Sequence, residues 1–357
     1  MHAPLGANTT LVCVLGNLAG GSLAHESLVV NVLRPLSADL ALMLSLDSRE
    51  ESESLLLARQ AKYIWRPATP AGHLTANRTR WSAIADALEP HWATALNASL
   101  NASGVGRPRP NIWGGVDWPP GGMTAAQPRT TLAGSGGVLM ILRLLLLRNL
   151  DALARVGGMS YHHVIVTRAD HYFACAHPPV TAVRPGEYVI PEGEDYGGIT
   201  DRHGVFHFDD RVRVLMMLPW MAAHDDPRKI YSIEGAMRAF LLAQRIRVRR
   251  IARVMALLVV HLPGMVHHWR GHGPVPPEPL PGHCSSSSPW LKYPFEYVAM
   301  AGTCNLTLSP CSSGQSRGLA GYMRFCEAAI RNHTAFGCGM AMARASMTAR
   351  KEIQHTA

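Results

Sequence analysis

The sequence predicts an α/β domain organised around a mostly parallel central sheet, with an irregular insertion and a C-terminal appendage. Three observations carry that expectation. Residues 11–15, 38–44 and 161–167 are short apolar runs bounded by turn chemistry, as strands buried on both faces are. Between the first two, Leu23, Leu28 and Val32 recur at helical spacing, so strand, helix and strand follow one another in the length of a βαβ unit. Glycines and charged residues then gather directly after these runs, at the strand ends where open parallel sheets bind ligands.

Taken in order, the first strand runs into Gly16-Asn17-Leu18-Ala19-Gly20-Gly21, a glycine-rich turn, and a helix follows over 22–33. Asp39 begins the second strand. Residues from about 50 to 131 show no sustained period and read as an insertion with short helices. Gly134-Ser135-Gly136-Gly137 opens an apolar helix over about 138–156, with Ser135 as its N-cap. The strand at 161–167 ends in Arg168-Ala169-Asp170. A short strand at 188–191 leads into the polar segment 192–203. Helices are expected over 210–223 and, after Ser232-Ile233-Glu234, over 235–245; residues 254–262 are a late apolar run. Beyond Pro274 the chain turns rich in Pro, Ser and Gly. The expected division is therefore a domain over 8–273 and an irregular extension over 274–357, dispensable for the core fold.

A formal charge of +9 favours acidic partners such as phosphates or anionic glycans. No aromatic-interleaved basic module of the nucleic-acid-binding kind is present. The one basic cluster, Arg245, Arg247, Arg249, Arg250 and Arg253, reads as a solvated helix face. No apolar run approaches the roughly 18 residues of a membrane span, and residues 138–147 are interrupted by Arg143. The N-terminus has no signal-peptide pattern, so the expectation is a cytoplasmic chain, or a Golgi or secretory one whose targeting segment is missing. Among seven cysteines, Cys13 and Cys175 sit in apolar contexts and read as free core thiols. The other five crowd the tail, where disulfides form if it meets an oxidising compartment. Sequons start at Asn8, Asn77, Asn97, Asn101, Asn305 and Asn332, a hint of a secretory glycoprotein.

Three strand ends are candidates for chemistry. Gly16, Gly20 and Gly21 allow backbone to approach a phosphate at a helix start; a plain tight turn is the alternative. Asp39 is a candidate for a base or ribose, or a loop residue. Arg168 and Asp170 point the same way by alternation, one to neutralise a diphosphate and one to hold a cation through oxygen; a surface ion pair explains them equally. Residues 192–203 are too polar for a core and are expected to be solvated or to line a ligand. His203 and His207, with Asp209 and Asp210, have metal-like spacing, but 18 histidines make coincidence the better account.

Together these segments resemble a largely uncharacterised group of glycosyltransferase-like proteins. The likeness rests on Leu15-Gly16-Asn17-Leu18-Ala19-Gly20-Gly21, Ala38-Asp39-Leu40-Ala41-Leu42, Gly134-Ser135-Gly136, Val166-Thr167-Arg168-Ala169-Asp170, and Pro191-Glu192-Gly193-Glu194-Asp195-Tyr196-Gly197-Gly198 followed by Asp201-Arg202-His203. It covers residues 11–46 and 132–270. The resemblance implies a Rossmann-like GT-A fold and a hexosyltransferase-like enzyme. Such an enzyme moves a sugar from a nucleoside diphosphate sugar to a hydroxyl on a glycan, protein or lipid. It also implies manganese or magnesium at an Asp-x-Asp, and here Arg168 replaces the first acid. By the same likeness Gly16, Gly20, Gly21, Asp39, Gly134, Ser135 and Arg168 serve the nucleotide and diphosphate. Glu194, Asp195, Gly197, Gly198, Arg202 and His203 serve the sugar or acceptor, Asp170 and His268 the metal, and Asp201 and Glu234 the acceptor proton. Arg168, Asp170, Gly197, Gly198, Asp201 and Glu234 are then expected around one pocket with the 16–21 turn. Two alternatives stay open: a metal-dependent hydrolase using Asp170, Asp201, His203 and His207, and an inactive nucleotide- or sugar-binding relative.

Overall fold

The computed structural model describes residues 9–18, 20–45, 56–67, 81–92, 135–156, 161–193, 198–223, 232–259, 278–279, 290–291 and 294–306. Their centre is a seven-stranded sheet. It contains β1 (Thr10–Gly16), β2 (Asp39–Leu44), β3 (Tyr63–Trp65), β4 (His163–Thr167), β6 (Glu187–Pro191), β7 (Gly204–His207) and β8 (Arg247–Ile251), in the order β3-β2-β1-β4-β7-β6-β8. β7 pairs antiparallel with both neighbours, and every other pairing is parallel. The expected mostly parallel α/β sheet is therefore present. Its first half, β3-β2-β1-β4, has the strand order of one half of a doubly wound nucleotide-binding sheet, with a switch point between β1 and β4.

Alternation along the strands builds two cores. Leu11, Cys13, Leu15, Val164 and Val166 face one side, where α4 (Gly136–Val156) and α7 (Ile233–Ala243) pack through Met140, Leu147, Met237 and Phe240. Val12, Val14, Leu42 and Ile165 face the other, against α1 (Gly21–Leu28) and the π-turn Val29–Leu33 that extends it. Burial on both faces is why these strands read as unbroken apolar runs. The shorter helices are α2 (Leu56–Gln60), α3 (Trp81–Leu88), α5 (Arg211–Leu215) and α6 (Met217–Ala222). None of the helices among the described residues is long and apolar enough to cross a membrane.

Four expectations are corrected. The basic cluster is no helix face: Arg247, Arg249 and Arg250 lie on β8, the edge strand. Charge on an edge strand discourages pairing with other chains. The insertion contributes β3 to the sheet, and β7 intervenes where a polar segment was expected to meet a helix. Cys175 is not a free thiol but is paired with Cys304, whereas Cys13 is free and buried. Part of the tail is integral. A second sheet of β5 (His171–Phe173), β9 (Met255–Val259), β10 (Glu278–Pro279) and β11 (Trp290–Leu291) carries α8 (Pro294–Cys304). There Tyr297, Met300 and Ala301 bury against Ala24, Ala256 and Leu258. That stretch packs into the fold and is no detachable appendage.

Candidate functional site

The parallel strands all end on one edge of the sheet. In register, Gly16 lies beside Leu44, Val14 beside Thr167, and Pro191 beside Ile251. The antiparallel β7 starts there, with Gly204 beside Val166. Three helices begin at this edge, since α1 follows β1 while α4 and α7 each precede a parallel strand. Each brings its first-turn backbone N–H groups and the positive end of a helix dipole to this edge.

Two glycines bring distant segments into backbone contact here. Gly20, at φ 107°, is the N-cap of α1 with no side-chain cap. A Cβ on it would stand 2.6 Å from Asp170 Cα and 2.7 Å from the Ala169 carbonyl oxygen. The turn after β1 therefore lies directly against the turn after β4, at the switch point. Gly198 does the same for the other half. Its Cβ would fall 2.1 Å from the Glu234 carbonyl, and Ile199 N–H donates to that oxygen at 3.0 Å. Ser232 Oγ caps α7 by accepting from Gly235 N–H at 3.0 Å, which aims the first turn and Glu234 at this edge.

Charges from six segments meet between these contacts. Arg168 donates through Nε and Nη2 to the two oxygens of Asp170, at 2.8 and 2.7 Å. That carboxylate raises the Arg168 guanidinium further above its ordinary value, with Asp201 adding to the effect and burial and Arg202 opposing it. Arg202 and Arg253 both pair with Glu296 of α8, at 3.4 and 3.3 Å. Glu296 is 1% exposed and also accepts from Leu257 N–H at 2.8 Å. Burial first, then the charge of Asp201, raises the Glu234 carboxyl above the usual range. Arg143, buried on α4, donates to the Asp201 carbonyl at 3.0 Å and to Tyr188 OH at 3.4 Å. Its Nη1 has no partner among the described residues.

The structure thus brings together Gly20, Gly21, Arg168, Asp170, Gly198, Asp201, Arg202 and Glu234, with Gly16 at the end of β1 and Ser135 at the start of α4. Gly134, Glu194, Asp195, Gly197 and His268 lie outside the described residues. Of the remaining expected residues, Asp39 is elsewhere and His203 is buried beneath the edge. Asp39 begins β2 and so sits at the opposite, amino edge, where it accepts from Lys62 and Tyr161 at 2.6 Å each. A shallow cleft there is lined by Asp39, Lys62, Val29 and Arg34. His203 is 1% exposed and its ring nitrogens are committed, Nδ1 to Thr167 Oγ1 at 3.1 Å and Nε2 to His177 Nε2 at 3.2 Å. It belongs to a buried chain from His171 through Thr167 and His203 to His177. Burial lowers His171 and His177 to about 4 and His203 well below its ordinary value. All three are neutral at pH 7, and the network assigns their protons. The Pro178 carbonyl only accepts, so His177 Nδ1 carries hydrogen, His203 Nε2 donates, and Thr167 donates to His203 Nδ1. His207 pairs with His163 at the amino edge, so the proposed hydrolase cluster of Asp170, Asp201, His203 and His207 is not assembled.

Sequence reasoning missed Arg143, Arg253 and Glu296 as site residues. Arg143 had one signal, a lone charge inside an apolar helix; Glu296 had none. Among known proteins, a family model described as a domain of unknown function, DUF7796, matches residues 145–260, less than half of the chain. The match contains Arg168, Asp170, the 198–203 loop and Glu234, and excludes the turn after β1 and α8. No curated protein matches the chain.

Proposed function

We propose that the carboxyl edge of the sheet binds the diphosphate of a nucleoside diphosphate sugar, and that the protein is a glycosyltransferase of the GT-A type. The observation that carries this reading is the contact of Gly20 with Asp170 at the β1–β4 switch point, where open α/β sheets bind ligands. Arginines from separate segments and three helix starts surround that point, an arrangement suited to stabilising a leaving diphosphate. In this reading the diphosphate lies between Arg168 and the N–H groups of Gly20 and Gly21. Glu234, with its raised affinity for protons, takes the acceptor hydroxyl's proton, and Asp201 orients the acceptor.

Both oxygens of Asp170 accept from Arg168, which competes with a role for that carboxylate in holding manganese or magnesium. Charge neutralisation is therefore assigned to Arg168. The same closed ion pair favours a second reading, a nucleotide- or sugar-binding relative without transfer activity.

A thermal-shift screen of nucleoside diphosphates and their sugars, with and without manganese, tests the proposal. A ligand that binds only the native state raises its melting temperature. At least one nucleoside diphosphate is expected to stabilise the chain without added metal. Donor hydrolysis or transfer by the stabilised protein then separates the enzyme from the inactive relative. A flat response to every nucleotide refutes both.

A further inference from the structure

We infer that Asn305 carries an N-linked glycan and that the chain matures in an oxidising, glycosylating compartment, where Cys175 and Cys304 pair. Six sequons are spread through the sequence, and sequence alone cannot rank them. Of the six acceptors, Asn305 lies among the described residues; Thr307 and the other five acceptors lie outside them. Asn305 directly follows α8, is exposed, and turns the chain with φ 53°. Leu306 N–H reaches back to the Ala301 carbonyl at 2.9 Å, closing the helix end. Asparagine suits that left-handed position, which by itself explains the residue type. The cap bond runs between backbone atoms, and the residue itself is exposed.

The second observation is the neighbouring residue. Cys304 is disulfide-bonded to Cys175, which lies 129 positions earlier and follows β5. Structural disulfides persist in secretory and extracellular settings and are rare in a reducing cytosol. N-linked glycans are added in that same oxidising setting. The adjacent residues Cys304 and Asn305 therefore point to one compartment through unrelated chemistries. In the first, two thiols lose two protons and two electrons to the disulfide of an oxidoreductase. In the second, the Asn305 amide nitrogen bonds to the anomeric carbon of an oligosaccharide delivered on a polyprenyl diphosphate, which leaves as the amide proton is released. Neither step depends on the glycosyltransferase reading.

Peptide mapping of the full chain recovered from its own cells reads both marks at once. Free thiols are alkylated before denaturation, digestion omits reductant, and glycans are released enzymatically in heavy-oxygen water. The expected result is a Cys304-containing peptide joined to the Cys175 peptide, with heavy oxygen incorporated at Asn305. Alkylation of both cysteines, or an Asn305 that incorporates no heavy oxygen, overturns the inference. An Asn305→Gln chain is expected to migrate one glycan lighter, and an unchanged glycan mass on that variant counts against the site.

Discussion

The two edges of the central sheet handle charge in opposite ways. At the amino edge, Asp39 meets Lys62 and Tyr161, and Glu187 meets Arg247 and Arg249, in pairs at or near the surface. At the carboxyl edge, charges from residues 143, 168, 202, 234, 253 and 296 are drawn together, several of them buried, by glycines that let backbones touch. Buried charge that is gathered from so many segments is costly to assemble. The proposed site at the carboxyl edge rests on that contrast.

The sharpest way to break that contrast is through the glycines. Gly198→Ala places a Cβ within 2.1 Å of the α7 backbone, where nothing can yield cheaply. Urea unfolding is expected to show a loss of about 4 kcal/mol or more, or no folded protein. Gly186 at the amino edge also has a positive φ, 81°, but its Cβ meets nothing within 4 Å. Gly186→Ala is expected to cost only about 1–2 kcal/mol, the strain of the left-handed backbone. Equal losses at the two glycines would show that packing at the carboxyl edge is not special.

Glu296 supplies the next largest effect. Its removal leaves buried Arg253 and partly buried Arg202 without their shared carboxylate, and Glu296→Ala is expected to destabilise by about 3–5 kcal/mol. Lys62→Ala at the amino edge breaks a pair whose lysine is 44% exposed and is expected to change stability by less than about 1 kcal/mol. A Glu296→Ala chain as stable as wild type would mean that α8 is the detachable appendage its composition suggests.

A smaller effect comes from the buried histidine chain. His171 and His177 titrate near 4 in the fold, against an ordinary value of 6.5. Between those values the unfolded chain binds the additional protons, so stability rises with pH up to about 6.5 and is lost as pH falls toward 4. His177→Asn, which shortens the chain, is expected to flatten that slope in chemical denaturation at fixed ionic strength. An unchanged slope would place the proton uptake elsewhere.

How much of this was legible in the sequence follows from burial. β1, β2 and β4 are covered on both faces, so their apolar runs announce them. β3, β5 and β7 are three or four residues long, and β8 carries Arg247, Arg249 and Arg250 among its five residues at an edge; none makes a run that stands out. Arg168, Asp170, Gly20 and Glu234 were legible because they directly follow a strand or start a helix. Asp39, a candidate for a base or ribose, begins its strand and so lies at the amino edge, away from the other candidates. The role of Glu296 depends on two arginines 43 or more positions away, and no local pattern encodes such a contact. The mixture of Pro, Ser and Gly around α8 concealed that this helix is pinned by Cys304 and by an apolar face.

On the proposed function, nucleoside diphosphates bind at the carboxyl edge and not at the cleft beside Asp39. Calorimetric titration of wild type, Arg168→Ala and Lys62→Ala with the nucleoside diphosphate that stabilises the chain best tests it directly. Arg168→Ala also removes a partner of Asp170, which is 8% exposed, so the variant's melting temperature is measured alongside; in the folded variant binding is expected to weaken at least about tenfold, the effect of a lost charge-assisted contact. Lys62→Ala is expected to bind as wild type does. Binding that survives in Arg168→Ala and falls in Lys62→Ala would place the ligand at the opposite edge and contradict the account.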